Sequence, residues 1–150
     1  MEKKSLFLII VCIIVFSFVI FTYAGIINED ETLQVGEINF KIPEGYKYIG
    51  FVKEGFPALN NGLDSIYFDC YNDTNISHHV NDFLNECKSK NRSVDVSNFT
   101  TNDIFVYKVV NSKNSTHYWF VYGDKTYTFF TWKETFNIDD IAHYLIDSSI

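Results

Sequence analysis

The chain has 150 residues and carries 12 Lys+Arg against 19 Asp+Glu, a net charge of −7. That length suits one domain rather than two. The acidic balance argues against nucleic acid or anionic lipid head groups as partners, because both demand a basic footprint.

The first element in chain order is an apolar run from Leu6 to Phe21, broken only by Ser17 and preceded by Lys3 and Lys4. With its flanks it has about the 20 residues that a helix needs to cross a ~30 Å hydrocarbon core. Residues 1–24 are therefore expected to be a transmembrane signal-anchor, with a cleaved signal peptide ending at Thr22-Tyr23-Ala24 as the alternative. The lysines before the run and Glu29, Asp30 and Glu31 after it predict a cytoplasmic N-terminus. On that reading the protein belongs to the cell membrane by a single span, residues 25–32 are a short acidic linker, and residues 33–150 form an extracytoplasmic domain.

Within the domain, Leu33 to Ile42 reads as a hairpin or bent strand turning at Gly36-Glu37, followed by an extended piece over Tyr46 to Phe51. Residues 53–64, with Pro57, Asn60, Asn61 and Gly62, read as a loop. Ser65 to Tyr71 is a predicted strand with Ile66, Phe68 and Cys70 on one face. Ile76, Val80, Phe83, Leu84 and Cys87 then form one apolar helical stripe, with Asn75 or Ser77 as its cap. Val94 and Val96 suggest a short strand. Asp103–Val110, His117–Tyr122 and Lys125–Trp132 are three stronger ones, the last two joined at Gly123-Asp124. Asn137 is the expected cap of a closing helix that buries Ile138, Ile141, Ala142, Leu145 and Ile146.

Strands interspersed with only two helices predict an α+β domain, an antiparallel β-sheet packed with two α-helices. The 15 Phe, 10 Tyr and 2 Trp of the chain fit strands. About Gly123-Asp124, Tyr118, Phe120 and Tyr122 share a face with Tyr127 and Phe129, while Trp119, Val121, Phe130 and Trp132 share the other. Both faces are apolar, which predicts a sheet covered on both sides.

The stretch Ile38-Asn39-Phe40-Lys41-Ile42-Pro43-Glu44-Gly45-Tyr46 resembles the opening of PsbP-like domains. The ending, a Gly-Asp hairpin, Thr126-Tyr127-Thr128-Phe129 and a closing helix, is similar too, as are small single-span exported proteins of methanogenic archaea. The resemblance implies an α/β/α sandwich with an antiparallel sheet between helices and no catalytic set.

Few residues point to chemistry. Cys70 and Cys87 lie beyond the membrane segment, where a cysteine pair is read first as a disulfide; two buried thiols are the alternative. Five Asn-x-Ser/Thr sequons, at Asn72, Asn75, Asn91, Asn98 and Asn114, are candidate N-glycosylation sites on an exported chain. A metal site from Cys70, His78, His79 and Cys87 fails on geometry, since adjacent helical histidines point about 100° apart. No cofactor and no metal are expected, and no nucleophile motif marks an enzyme. Tyr118, Tyr122 and Tyr127 form a candidate binding face for sugars or a partner protein. The function expected is a non-catalytic surface interaction or structural module, with a cell-envelope protein or polysaccharide as partner. An extracytoplasmic ligand- or carbohydrate-binding domain is the alternative.

Overall fold

The computed structural model describes residues 31–150, so the expected membrane segment and most of the linker lie outside the described residues. The last linker residue, Thr32, opens the first strand. The elements run β1 (Thr32–Val35), β2 (Ile38–Lys41), β3 (Lys47–Phe51), β4 (Pro57–Asn60), β5 (Ser65–Tyr71), α1 (Ile76–Ser89), β6 (Val94–Thr101), β7 (Ile104–Asn111), β8 (Thr116–Tyr122), β9 (Lys125–Thr131) and α2 (Ile138–Asp147).

Strands β3 to β9 make a seven-stranded sheet in the order β3-β4-β5-β9-β8-β7-β6, and β1 and β2 make a separate two-stranded ribbon. The pairings are antiparallel. Tight turns fix the register. Gly36 (φ +58°) and Gly123 (φ +60°) lead the β1–β2 and β8–β9 turns, a conformation that a residue without Cβ reaches at no steric cost. Asn102 and Asp103 both take positive φ, 47° and 60°, between β6 and β7. This is the mirror-image turn that matches strand twist.

Alternation along the strands sends side chains to two different cores. On one face Phe68, Tyr118, Phe120, Tyr127 and Phe129 pack with Leu33, Val35, Ile38 and Phe40 of the ribbon and with Ala142, Leu145 and Ile146 of α2. On the other, Val80, Phe83 and Leu84 of α1 pack with Tyr71, Tyr107, Val109 and Trp119. The Tyr118 hydroxyl donates to Asp139 at the start of α2, and the Lys108 ammonium donates to the same carboxylate at 2.7 Å. Burial would raise the Asp139 carboxyl, but these two donors outweigh it and hold it below its ordinary value.

The expected fold class needs correction. No helix among the described residues is long and apolar enough to cross a membrane. The transmembrane signal-anchor expected for residues 1–24 falls outside the described residues. The domain is mostly β-sheet with two helices rather than an α/β/α sandwich. Dimensions explain this. Seven strands spaced ~4.8 Å apart span roughly 29 Å, whereas one helix is about 10 Å wide. Neither helix can form a full layer. The β1–β2 ribbon completes the cover on the Phe120 face, and α1 alone leaves part of the Trp119 face open.

Several local expectations also shift. Pro57–Asn60, read as loop, is an inner strand between β3 and β5, with Ala58 and Leu59 fully buried. The short strand at Val94 is eight residues long and forms the edge of the sheet, its polar residues facing water on both sides. Asn137 takes a left-handed conformation (φ 53°, ψ 31°) and makes no side-chain cap. Asn75 does cap α1, accepting the His78 backbone N–H at 3.3 Å.

Candidate functional site

Because α1 lies over β7 and β8, the part of the same face formed by β5 and β9 stays uncovered. The result is a groove of about 580 Å³ between the helix and the sheet, within the range of small-molecule sites. The groove floor is built in rows by strand pairing. Asp69 on β5 pairs with Thr128 on β9, and Thr128 pairs with Trp119 on β8. In the next row Tyr67 pairs with Phe130, and Phe130 with His117. Directly opposed residues in a sheet carry their side chains side by side on one face, so the first row is a polar line and the second an aromatic one.

In the aromatic row, His117 is held between Phe83 of α1 (ring centroids 4.0 Å apart) and Phe130 (4.8 Å, planes within 6°). Phe56 and Trp132 close that end, each with its ring edge-on to Phe130. Burial alone depresses the His117 imidazole to a pKa of about 3, so the ring is neutral at physiological pH. Its Nε2 shares a 2.8 Å hydrogen bond with the Ser115 hydroxyl. A serine–histidine contact is half of a nucleophilic triad. Here no carboxylate among the described residues holds the other nitrogen, and a ring so hard to protonate is a weak general base.

The polar row has unmet hydrogen-bonding capacity. Trp119 is 5% exposed and Thr128 3%, yet the Trp119 Nε1–H and the Thr128 Oγ1 have no partner among the described residues. A buried group left without a partner costs ~1–3 kcal/mol, which makes two neighbouring ones a departure that asks for a reason. Asp69 beside them accepts the Cys70 N–H at 2.8 Å and the Tyr71 hydroxyl, with lone pairs to spare. Burial, reinforced by the Asp69 charge, raises the Tyr71 hydroxyl well above its ordinary value. Thr131 Oγ1 is a third unpartnered buried atom, but alternation along β9 places it on the opposite face.

The residues singled out in the sequence fall elsewhere. Tyr118 and Tyr127 are completely buried in the Phe120-side core, and only Tyr122 keeps an exposed surface. Those three tyrosines are therefore not a binding face. Cys70 and Cys87 are free thiols. Cys70 packs with the Phe120-side core and lies near Gly36 and Tyr127. Cys87 points to the other side of the sheet, against Asn111 of β7. The sheet itself separates them, which corrects the expected disulfide: α1 packs on the face opposite to Ile66, Phe68 and Cys70.

All five sequon asparagines are exposed. Asn98 lies on edge strand β6, Asn72 and Asn75 lead into α1, and Asn91 and Asn114 occupy left-handed turns. No group of three or more His, Cys, Asp or Glu among the described residues could hold a metal ion. The groove was missed in the sequence because Trp119, Val121, Phe130 and Trp132 read as one side of a covered apolar sheet. Its one signal is the polar Asp69 and Thr128 at inward positions of otherwise apolar strands.

A second depression, near Pro43, Tyr46, Leu63, Phe136 and Tyr144, has a similar volume, about 640 Å³. Its polar lining residues include Glu44, Asp64 and Asp140, and no unpartnered buried polar atom lines it. The chain matches no model of a known protein family, and no curated protein matches it.

Proposed function

We propose that the domain binds a small polyhydroxylated ligand, a carbohydrate, in the groove between α1 and the sheet. The observation that carries this reading is the pair of buried, unpartnered groups, Trp119 Nε1–H and Thr128 Oγ1, on the groove floor. Beside Asp69 they offer a donor, a donor–acceptor and an acceptor in one line. Adjacent hydroxyls of a sugar ring, each both donor and acceptor, match such a line. The ring's C–H face, which is apolar, matches the exposed ring of Trp132 at the end of the aromatic row.

A role outside the cytoplasm is part of the same proposal, supported by five exposed sequons. So is binding without catalysis. A PsbP-like ancestry, carried by the Ile38 to Tyr46 motif, fits this reading because that resemblance implies no catalytic set. The other reading, a structural module without a ligand, leaves the two unpartnered groups unexplained.

Both tryptophans of the chain, Trp119 and Trp132, line this groove, so intrinsic fluorescence reports on it directly. The full chain titrated with a set of oligosaccharides should show a saturable change in tryptophan emission with at least one of them. Trp119→Phe and Thr128→Val should each weaken that binding about ten-fold, as expected for loss of one buried hydrogen bond of 1–1.5 kcal/mol. A response to fatty acids alone, or to no saccharide at all, overturns the proposal.

A further inference from the structure

Resting on the carbohydrate reading, we infer that the ligand is acidic: a saccharide of at least two rings carrying a carboxylate, held by Arg92 and Lys113 at one end of the groove. Three cations line that end, Lys90 and Arg92 from the exit of α1 and Lys113 from the β7–β8 turn. In a chain with only 12 Lys+Arg and a net charge of −7, their convergence from separate elements on one site is a local reversal of sign.

The charges that line the groove can be followed to their partners. Lys90 is neutralised by Glu86, one helical turn away. Asp82, further up the helix, faces His78 at 3.4 Å, and Asp69 belongs to the polar row of the floor. The Arg92 guanidinium and the Lys113 ammonium have no acidic partner among the described residues. Cations after a helix C-terminus complement its dipole, which accounts for Lys90 and Arg92 without any ligand. It does not account for Lys113, which comes from a different element. A guanidinium presents a planar fork that matches a carboxylate in bidentate fashion.

Length follows from the strand rise. Trp132, at the level of Asn111 and Ser115, lies four residues beyond Thr128, roughly 13 Å along the sheet. A ligand that meets both the Trp119–Thr128 line and the cationic end must be longer than a single sugar ring. The polar row then reads hydroxyls, Trp132 takes a ring face, and the cationic end takes the charge.

The test uses two probes of equal length on the full chain, trigalacturonate and its neutral counterpart galactotriose, with tryptophan emission as the readout. Trigalacturonate should bind at least ten-fold tighter at low salt. The preference should shrink as ionic strength rises to about 0.15 M, where the screening length is ≈ 8 Å. The double variant Arg92→Gln/Lys113→Gln should lose the preference, trigalacturonate falling to the affinity of galactotriose, whereas Thr128→Val should weaken both probes alike. Equal affinity for the two probes overturns the acidic inference and leaves the carbohydrate reading standing. A preference that survives the double variant also overturns it. Failure of both probes to bind overturns the acidic inference, and the wider set of oligosaccharides decides the carbohydrate reading.

Discussion

The hydroxyl of Tyr127 accepts the backbone N–H of Glu37 at 3.1 Å, tying β9 to the turn of the β1–β2 ribbon 90 residues earlier in the chain. The approach is close on every side. A Cβ added to Gly36 would stand 2.8 Å from Cys70 Sγ and 2.9 Å from the same Tyr127 oxygen. Lys125 reinforces the contact with an ion pair to Glu37 at 3.0 Å. The ribbon, an isolated two-stranded hairpin that would be marginal by itself, is thereby fixed as the lid of the larger core.

Two substitutions separate the parts of this contact. Tyr127→Phe should cost about 1 kcal/mol, the net worth of one hydrogen bond. Gly36→Ala should cost more, about 1–3 kcal/mol, because alanine at φ +58° is strained and its methyl meets two heavy atoms below contact distance. Urea unfolding of the two variants beside the parent chain checks the order. An alanine variant as stable as the parent would show that the ribbon can shift away from the sheet.

Thr128→Val should reverse the usual sign of a core substitution. The hydroxyl has no partner, so replacing it with a methyl of the same shape removes a desolvation penalty and raises stability by about 1 kcal/mol. Ligand binding should weaken in the same protein. Gain in thermal stability together with loss of affinity is the signature of a group kept for function. A drop in stability would mean that the hydroxyl is satisfied in solution.

His117 should make stability depend on pH. Its folded pKa of about 3 lies below the ~6.5 of an unfolded histidine. The unfolded state therefore binds the extra proton first as pH falls. The stabilisation is complete above pH ~6.5 and is lost as pH falls from there toward 3, by about 2 kcal/mol between pH 7 and pH 5. Denaturation midpoints measured at those two values should differ for the parent chain, and His117→Gln should flatten the difference. An unchanged slope in the variant would assign the proton uptake to another group.

The two thiols should stay reduced under conditions that oxidise paired cysteines. Mass spectrometry of the unreduced chain should find Cys70 and Cys87 free, and added reductant should leave the unfolding midpoint where it was. A disulfide between them would require one side chain to pass through the plane of a sheet whose interior is packed.

The legible part of this fold is the part governed by local rules. Alternation marked β5, β8 and β9, the 3.6-residue stripe marked α1, and Gly36 and Gly123 marked their turns. Three things were hidden. β4 is four residues long and begins at a proline, which is tolerated at a first strand position but reads as a loop. β6 has no fully buried residue, so only Val94 and Val96 announced it and its eight-residue length stayed hidden. The third is which face of the sheet α1 covers. A helix stripe and a strand stripe reveal that each must be buried, not that they are buried together. The disulfide failed on that point, and the tyrosine face failed because the β1–β2 ribbon and α2 cover it. The groove was illegible for the same reason, since it consists of the area that a helix fails to cover.

The two free edges of the seven-stranded sheet are not alike. The β6 edge is eight residues long and pairs with β7 without a break in register, whereas β3 pairs with β4 through an irregularity between Tyr48 and Phe51. Irregularities of that kind twist an edge away from a would-be partner. A molecule with two straight edges can add copies at both ends and grow into a fibre. One with a single straight edge can join only another such edge, in a two-fold arrangement that closes on itself. Association through the edges of this seven-stranded sheet therefore stops at the pair.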